Sequence, residues 1–159
     1  SIIVLFILFI CINSCAGYKP IFGTSNLQFE IADYSIGGDK KLGNQIYSKL
    51  YNFSKSNKNR ENITKIFINI NVSKEKSATV KNSAGKILEY KINLNTAVKA
   101  KNYLTDDKIL DSQFTLSSSY KVQDQYSETI KLENKLIGNL INLTYQELLI
   151  KLSENILLK

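Results

Sequence analysis

Three consecutive segments of this chain alternate between apolar and polar residues with a period of two. In the first, Ile66, Ile68, Ile70 and Val72 alternate with Phe67, Asn69, Asn71 and Ser73. In the second, Leu88, Tyr90, Ile92, Leu94, Thr96, Val98 and Ala100 share one face, with Asn93, Asn95, Lys99 and Lys101 on the other. In the third, Leu110, Ser112, Phe114, Leu116, Ser118, Tyr120 and Val122 fall together. Side chains of a strand point alternately to its two faces, so this pattern predicts three strands with one buried and one wet face. The connections carry turn chemistry: Asn82-Ser83-Ala84-Gly85 and Asp106-Asp107. Short polar connections predict an antiparallel meander.

Upstream, Leu27, Phe29 and Ile31 alternate with Gln28 and Glu30, predicting a first short strand. Gly37-Gly38-Asp39 breaks it, and Asp39 is placed to cap a helix. Leu42, Ile46, Leu50 and Phe53 then recur at helical spacing, giving an apolar face about four turns long. The polar stretch from Ser54 to Asn62 reads as a loop. The chain closes with a second helical stripe, Ile137, Ile141, Tyr145, Leu148, Leu152 and Ile156, with Ser127 as a candidate N-cap and Glu128 favourable in the first turn. The order is β-α-β-β-β-α. Two helices can cover one face of a four-stranded sheet, so the expected fold class is α+β, a two-layer sandwich with a mostly antiparallel sheet.

The N-terminus carries a different pattern. An unbroken apolar run, Ile2 to Ile10, leads into Ile12-Asn13-Ser14-Cys15. The run is shorter than the roughly 20 residues a membrane-spanning helix requires. It fits the apolar core of a secretory signal, and the small residue before Cys15 fits a lipidation-type processing site. Residues 1–14 are therefore expected to be a lipoprotein signal peptide with a truncated start, since neither an initial methionine nor a basic leader precedes the run. Cys15 would be the acylated first mature residue. Residues 15–25, with the chain's one proline, are expected to be an extended tether, and 26–159 a single domain.

Composition narrows the function classes. Cys11 and Cys15 are the two cysteines, so processing and acylation leave no thiol for a disulfide or redox pair. Histidine is absent, which removes the commonest general base and metal ligand and rules out a Ser-His-Asp triad. Asp106-Asp107 reads as turn chemistry rather than a catalytic pair. Gly37-Gly38-Asp39-Lys40-Lys41 lacks the spacing of a phosphate loop. No catalytic residue, metal ligand or cofactor is assigned, and no enzyme is expected.

The net charge is +7. In an exported protein this suits a phosphorylated glycolipid, an acidic membrane surface or an acidic protein patch, and compartment disfavours nucleic acid. Lys74, Lys76, Lys81 and Lys86 gather at the predicted hairpin between the second and third strands; Lys99, Lys101 and Lys108 gather at the opposite end of the meander. Lysines at a hairpin can meet lipid phosphates, and they also discourage edge-to-edge strand pairing. Both readings stay open for the hairpin; for Lys99 to Lys108 the second is favoured.

The stretch Cys15-Ala16-Gly17-Tyr18-Lys19-Pro20-Ile21-Phe22-Gly23 resembles the start of the LPS-assembly lipoprotein family (LptE-like) of Gram-negative outer membranes. Lys41-Leu42-Gly43-Asn44-Gln45-Ile46-Tyr47-Ser48-Lys49-Leu50 is similar to its helix signature, and the β-α-β-β-β-α order agrees over the mature chain. The resemblance implies a periplasm-facing lipoprotein anchored to the outer membrane by lipid on Cys15, with Ala16 compatible with that sorting. It implies partners: an LptD-like outer-membrane β-barrel, which such proteins plug and help assemble, and lipopolysaccharide, which they help to deliver. Lys81 and Lys86 are the lipopolysaccharide-binding candidates by position. The alternative is a tethered adaptor or activator of a cell-envelope enzyme.

Overall fold

Period-two patterning becomes a sheet because only one register buries the whole apolar set. The computed structural model describes residues 27–56 and 63–157; the expected signal, Cys15 and the whole tether lie outside them. Four strands and two helices follow in the order β1 (Phe29–Gly38), α1 (Lys40–Ser56), β2 (Thr64–Lys81), β3 (Ile87–Asn102), β4 (Lys108–Lys121) and α2 (Tyr126–Leu157). The sheet order is β1-β2-β3-β4. β2, β3 and β4 form the antiparallel meander. β1 pairs with β2 in parallel, as a strand must when a helix carries the chain back before the next strand begins. The α+β expectation holds, with a mixed, mostly antiparallel sheet.

Both helices lie on one face. α1 packs on β1 and β2, α2 on β4 and β3, and the two touch each other. The buried set joins Ile66, Ile68, Ile70 and Val72 of β2 with Ile92, Leu94 and Val98 of β3, Ile46 and Leu50 of α1, and Ile141, Leu148 and Leu152 of α2. These are the residues the alternation and the two stripes singled out. The other face carries Asn69, Asn71, Asn93, Asn95, Gln113, Thr115, Ser117 and Ser119 and is solvated; no helix covers it among the described residues. Across that face Asn69 Nδ2 donates to Ser35 Oγ at 2.5 Å.

The step from β1 into α1 is tightly determined. Gly38 has φ +67°, and a Cβ there would stand 2.1 Å from the Val72 carbonyl oxygen. The next amide, Asp39 N–H, donates to that oxygen at 2.7 Å. Asp39 Oδ1 then accepts from Leu42 N–H at 3.1 Å, the expected cap. Three local expectations change. α1 continues to Ser56, because the hydroxyls of Ser54 and Ser56 bond back to the carbonyls of Tyr51 and Phe53 and keep the last turn wound. α2 starts at Tyr126, one residue before the proposed cap Ser127; the amides of Glu128 and Thr129 bond to the Gln125 carbonyl instead. β2 runs nine residues beyond Val72, to Lys81.

That extension gives the molecule two unlike ends. At one, β1 and β2 begin and β3 hands over to β4: Phe29 pairs with Thr64, Ile66 with Asn102 and Lys101 with Lys108. At the other lies the β2–β3 hairpin. β1 stops opposite Val72, so Ser73–Lys81 is an open strand edge.

Candidate functional site

The β2–β3 hairpin carries the two lysines that the sequence singles out, Lys81 and Lys86. From Ser73 to Lys86 every residue is exposed, yet the backbone is fixed. β2 and β3 pair out to Lys81 and Ile87. The turn closes with Asn82 N–H donating to the Lys86 carbonyl at 2.9 Å. Asn82 Oδ1 accepts from the amides of Ala84 at 3.0 Å and Lys86 at 2.9 Å. Gly85 takes φ +81°. The candidates Lys81 and Lys86 thus stand five residues apart in sequence and together on one rigid turn. Neither has a carboxylate within ion-pair distance among the described residues. Val80 and Leu88 are also exposed beside them. The tip presents ammonium groups next to aliphatic side chains.

Lys76 leaves this group. It extends the even-numbered face of β2 that carries Ile66 to Val72, so it points at α2. Its Nζ donates to Glu133 Oε2 at 2.5 Å and lies 4.3 Å from the Tyr90 ring centre and 5.6 Å from that of Tyr120. Tyr120 OH donates to the same carboxylate oxygen at 2.6 Å. Burial pushes the Glu133 carboxyl upward, but the hydrogen bonds from Lys76 and Tyr120 and the charges of Lys76 and Lys74 outweigh it and hold the group below its ordinary value. Burial would lower the Lys76 ammonium; the Glu133 and Tyr120 hydrogen bonds and charges raise it instead. For Tyr120, burial and the Glu133 hydrogen bond push the phenol up. The cluster pins the hairpin stem to α2. Counting by twos from Val72 would have placed Lys76 on the helix side, while nothing in the sequence pairs it with Glu133.

At the opposite end two of the three lysines are ion-paired. Lys101 bonds to Asp106, and Lys108 lies 3.4 Å from Asp111. Asp106 takes φ +64° in the turn, and Asp107 accepts from Thr105 Oγ1 at 2.7 Å. The two aspartates serve the turn, as their position predicted. Among the described residues no group of histidine, cysteine, aspartate or glutamate could hold a metal ion.

No family model matches this chain, and no curated protein matches it in sequence. Solved structures do match in shape. Rare lipoprotein B from Shewanella oneidensis superposes with TM-score 0.51 at 11% identity, over 75% of this chain and 91% of that one. The two chains share a fold. Lipoprotein B from Nitrosomonas europaea gives TM-score 0.53 at 14% identity, over 77% of this chain and 82% of that one. A minor lipoprotein from Acinetobacter baumannii gives 0.51 at 14%, over 80% and 94%. At such identities the likeness speaks for architecture and transfers no residue roles.

Proposed function

We propose that this chain is a lipid-anchored outer-membrane lipoprotein, held through Cys15, that plugs an LptD-like β-barrel, assists its assembly and takes part in lipopolysaccharide transport and insertion, without catalysis. Three observations support the reading. The N-terminal sequence carries a lipidation-type site and resembles the family's start. The fold is shared with several bacterial lipoproteins. The open face, rich in asparagine, serine and threonine, suits the polar interior of a large barrel.

The observation that carries the lipopolysaccharide part is the tip. Two ammonium groups without an ion-pair partner among the described residues, Lys81 and Lys86, can meet the phosphates of a glycolipid as point charges, while exposed Val80 and Leu88 can meet its acyl chains. The chain carrying Lys81→Glu and Lys86→Glu should bind lipopolysaccharide at least tenfold more weakly, about 1.4 kcal/mol, in a titration with labelled glycolipid. Unchanged binding removes the tip from the mechanism. Tagged chain extracted from membranes in mild detergent should bring an outer-membrane barrel with it; a water-soluble periplasmic partner in its place would favour the adaptor alternative.

A further inference from the structure

The β3–β4 turn has properties that glycolipid binding at the far tip does not use. Tyr103 and Leu104 sit next to each other there, 53% and 78% exposed. The turn is held firmly: Asn102 Oδ1 accepts from the amides of Leu104 at 2.9 Å and Thr105 at 3.1 Å. Asn102 N–H donates to the Asp107 carbonyl at 2.8 Å, and Asp106 N–H to the Asn102 carbonyl at 3.0 Å. Tyr103 N–H donates to the Lys65 carbonyl at 2.9 Å, tying the turn to the first residues of β2. An apolar pair is thus displayed on a fixed support and loses little chain freedom when it is buried.

Its place in the fold says what would bury it. The chain leading from Cys15 enters the sheet at Phe29, which pairs with Thr64, at the same end as this turn. The eleven residues between Cys15 and Leu27 reach at most about 39 Å when extended. An anchor on Cys15 therefore limits this end to within about 39 Å of the bilayer, while the hairpin tip, at the far end of β2, can stand farther off. Tyrosine suits the headgroup level of a membrane and leucine the acyl boundary below it. Beside the turn, Lys101 and Lys108 are paired with Asp106 and Asp111, so the contact that Tyr103 and Leu104 offer is mainly apolar.

We propose that Tyr103 and Leu104 form a membrane-docking turn that inserts into the phospholipid surface beside the lipid anchor and sets the orientation of the domain on it. The proposal rests on the anchored reading above, and its test separates the two. The chain contains no tryptophan, so Leu104→Trp gives a single reporter, with Tyr103→Trp as a second variant and Ala84→Trp at the hairpin tip as the distant control. The full acylated chain is reconstituted with vesicles of phosphatidylethanolamine and phosphatidylglycerol, with and without brominated acyl chains. The expected result is a blue-shifted emission at position 104 and quenching several-fold greater than at position 84. Equal quenching at the two positions overturns docking, as does shielding of position 104 by self-association without lipid. Vesicle sedimentation of the Cys15→Ala chain tests the anchor separately: binding equal to that of the acylated chain defeats the anchor, and quenching at position 104 in that same sample still decides docking.

Discussion

Gly38 provides the sharpest test of the account, because the structure contains its own control. Gly38 and Gly85 both have positive φ, +67° and +81°. Alanine at either position meets the left-handed penalty of roughly 1–2 kcal/mol. A gain of about 0.4–1 kcal/mol from a stiffer unfolded chain offsets part of it. At Gly85 no atom lies within 4 Å of the added Cβ, so Gly85→Ala should cost about 1 kcal/mol. At Gly38 the Cβ would lie 2.1 Å from the Val72 carbonyl oxygen and 2.7 Å from Asn71 Oδ1. A backbone oxygen cannot rotate away. The β1–α1 step must lift off β2, which opens the 2.7 Å bond from Asp39 N–H to Val72, worth about 1 kcal/mol. It also misaligns the Asp39 cap on Leu42, worth about another 1 kcal/mol. Gly38→Ala should therefore cost about 3–4 kcal/mol, a large share of the 5–15 kcal/mol typical of a domain. Urea unfolding followed by far-ultraviolet circular dichroism measures both variants through their midpoints at unchanged slope. Costs within about 0.5 kcal/mol of each other would refute the steric argument and leave only the shared backbone penalty.

Thr96 is fully buried and its hydroxyl has no partner among the described residues, so Thr96→Val, nearly equal in shape, should stabilise the fold by about 1 kcal/mol in the same assay; a destabilised variant would point to a partner for the hydroxyl. Glu133 titrates below its ordinary value in the folded chain; its contribution is present above the unfolded carboxylate range and is lost as pH falls through the folded value. Stability measured from neutral to acid pH should show wild type exceeding Glu133→Gln by about 1 kcal/mol near neutrality, with the gap closing in acid; a gap independent of pH would show that the carboxylate charge contributes nothing.

The strands and helices were legible wherever one face is buried. Ile66 to Val72, the Tyr90–Ala100 face and both helical stripes sit as the periodicity places them, while Leu88, expected on the same face, lies beyond the helices and is exposed. Legibility failed where both faces are wet. Ser73–Lys81 has no apolar alternation that separates a paired strand from a loop, and it is strand because β3 supplies a ladder opposite it. The parallel pairing of β1 with β2 depends on where α1 returns the chain, a tertiary outcome. Lys81 and Lys86 were readable as a pair because a turn lies between them. Lys76 was grouped with them by proximity in sequence, and only the register shows it turned toward Glu133.

The length of β2 has a consequence for where the two ends of the protein can work. Eighteen residues at about 3.3 Å each span roughly 60 Å, more than the 40–45 Å depth of a bilayer with its headgroups. A rod of that reach, fastened by its base at one leaflet and sheathed by a channel, would carry its basic point out to the opposite leaflet with no change of conformation.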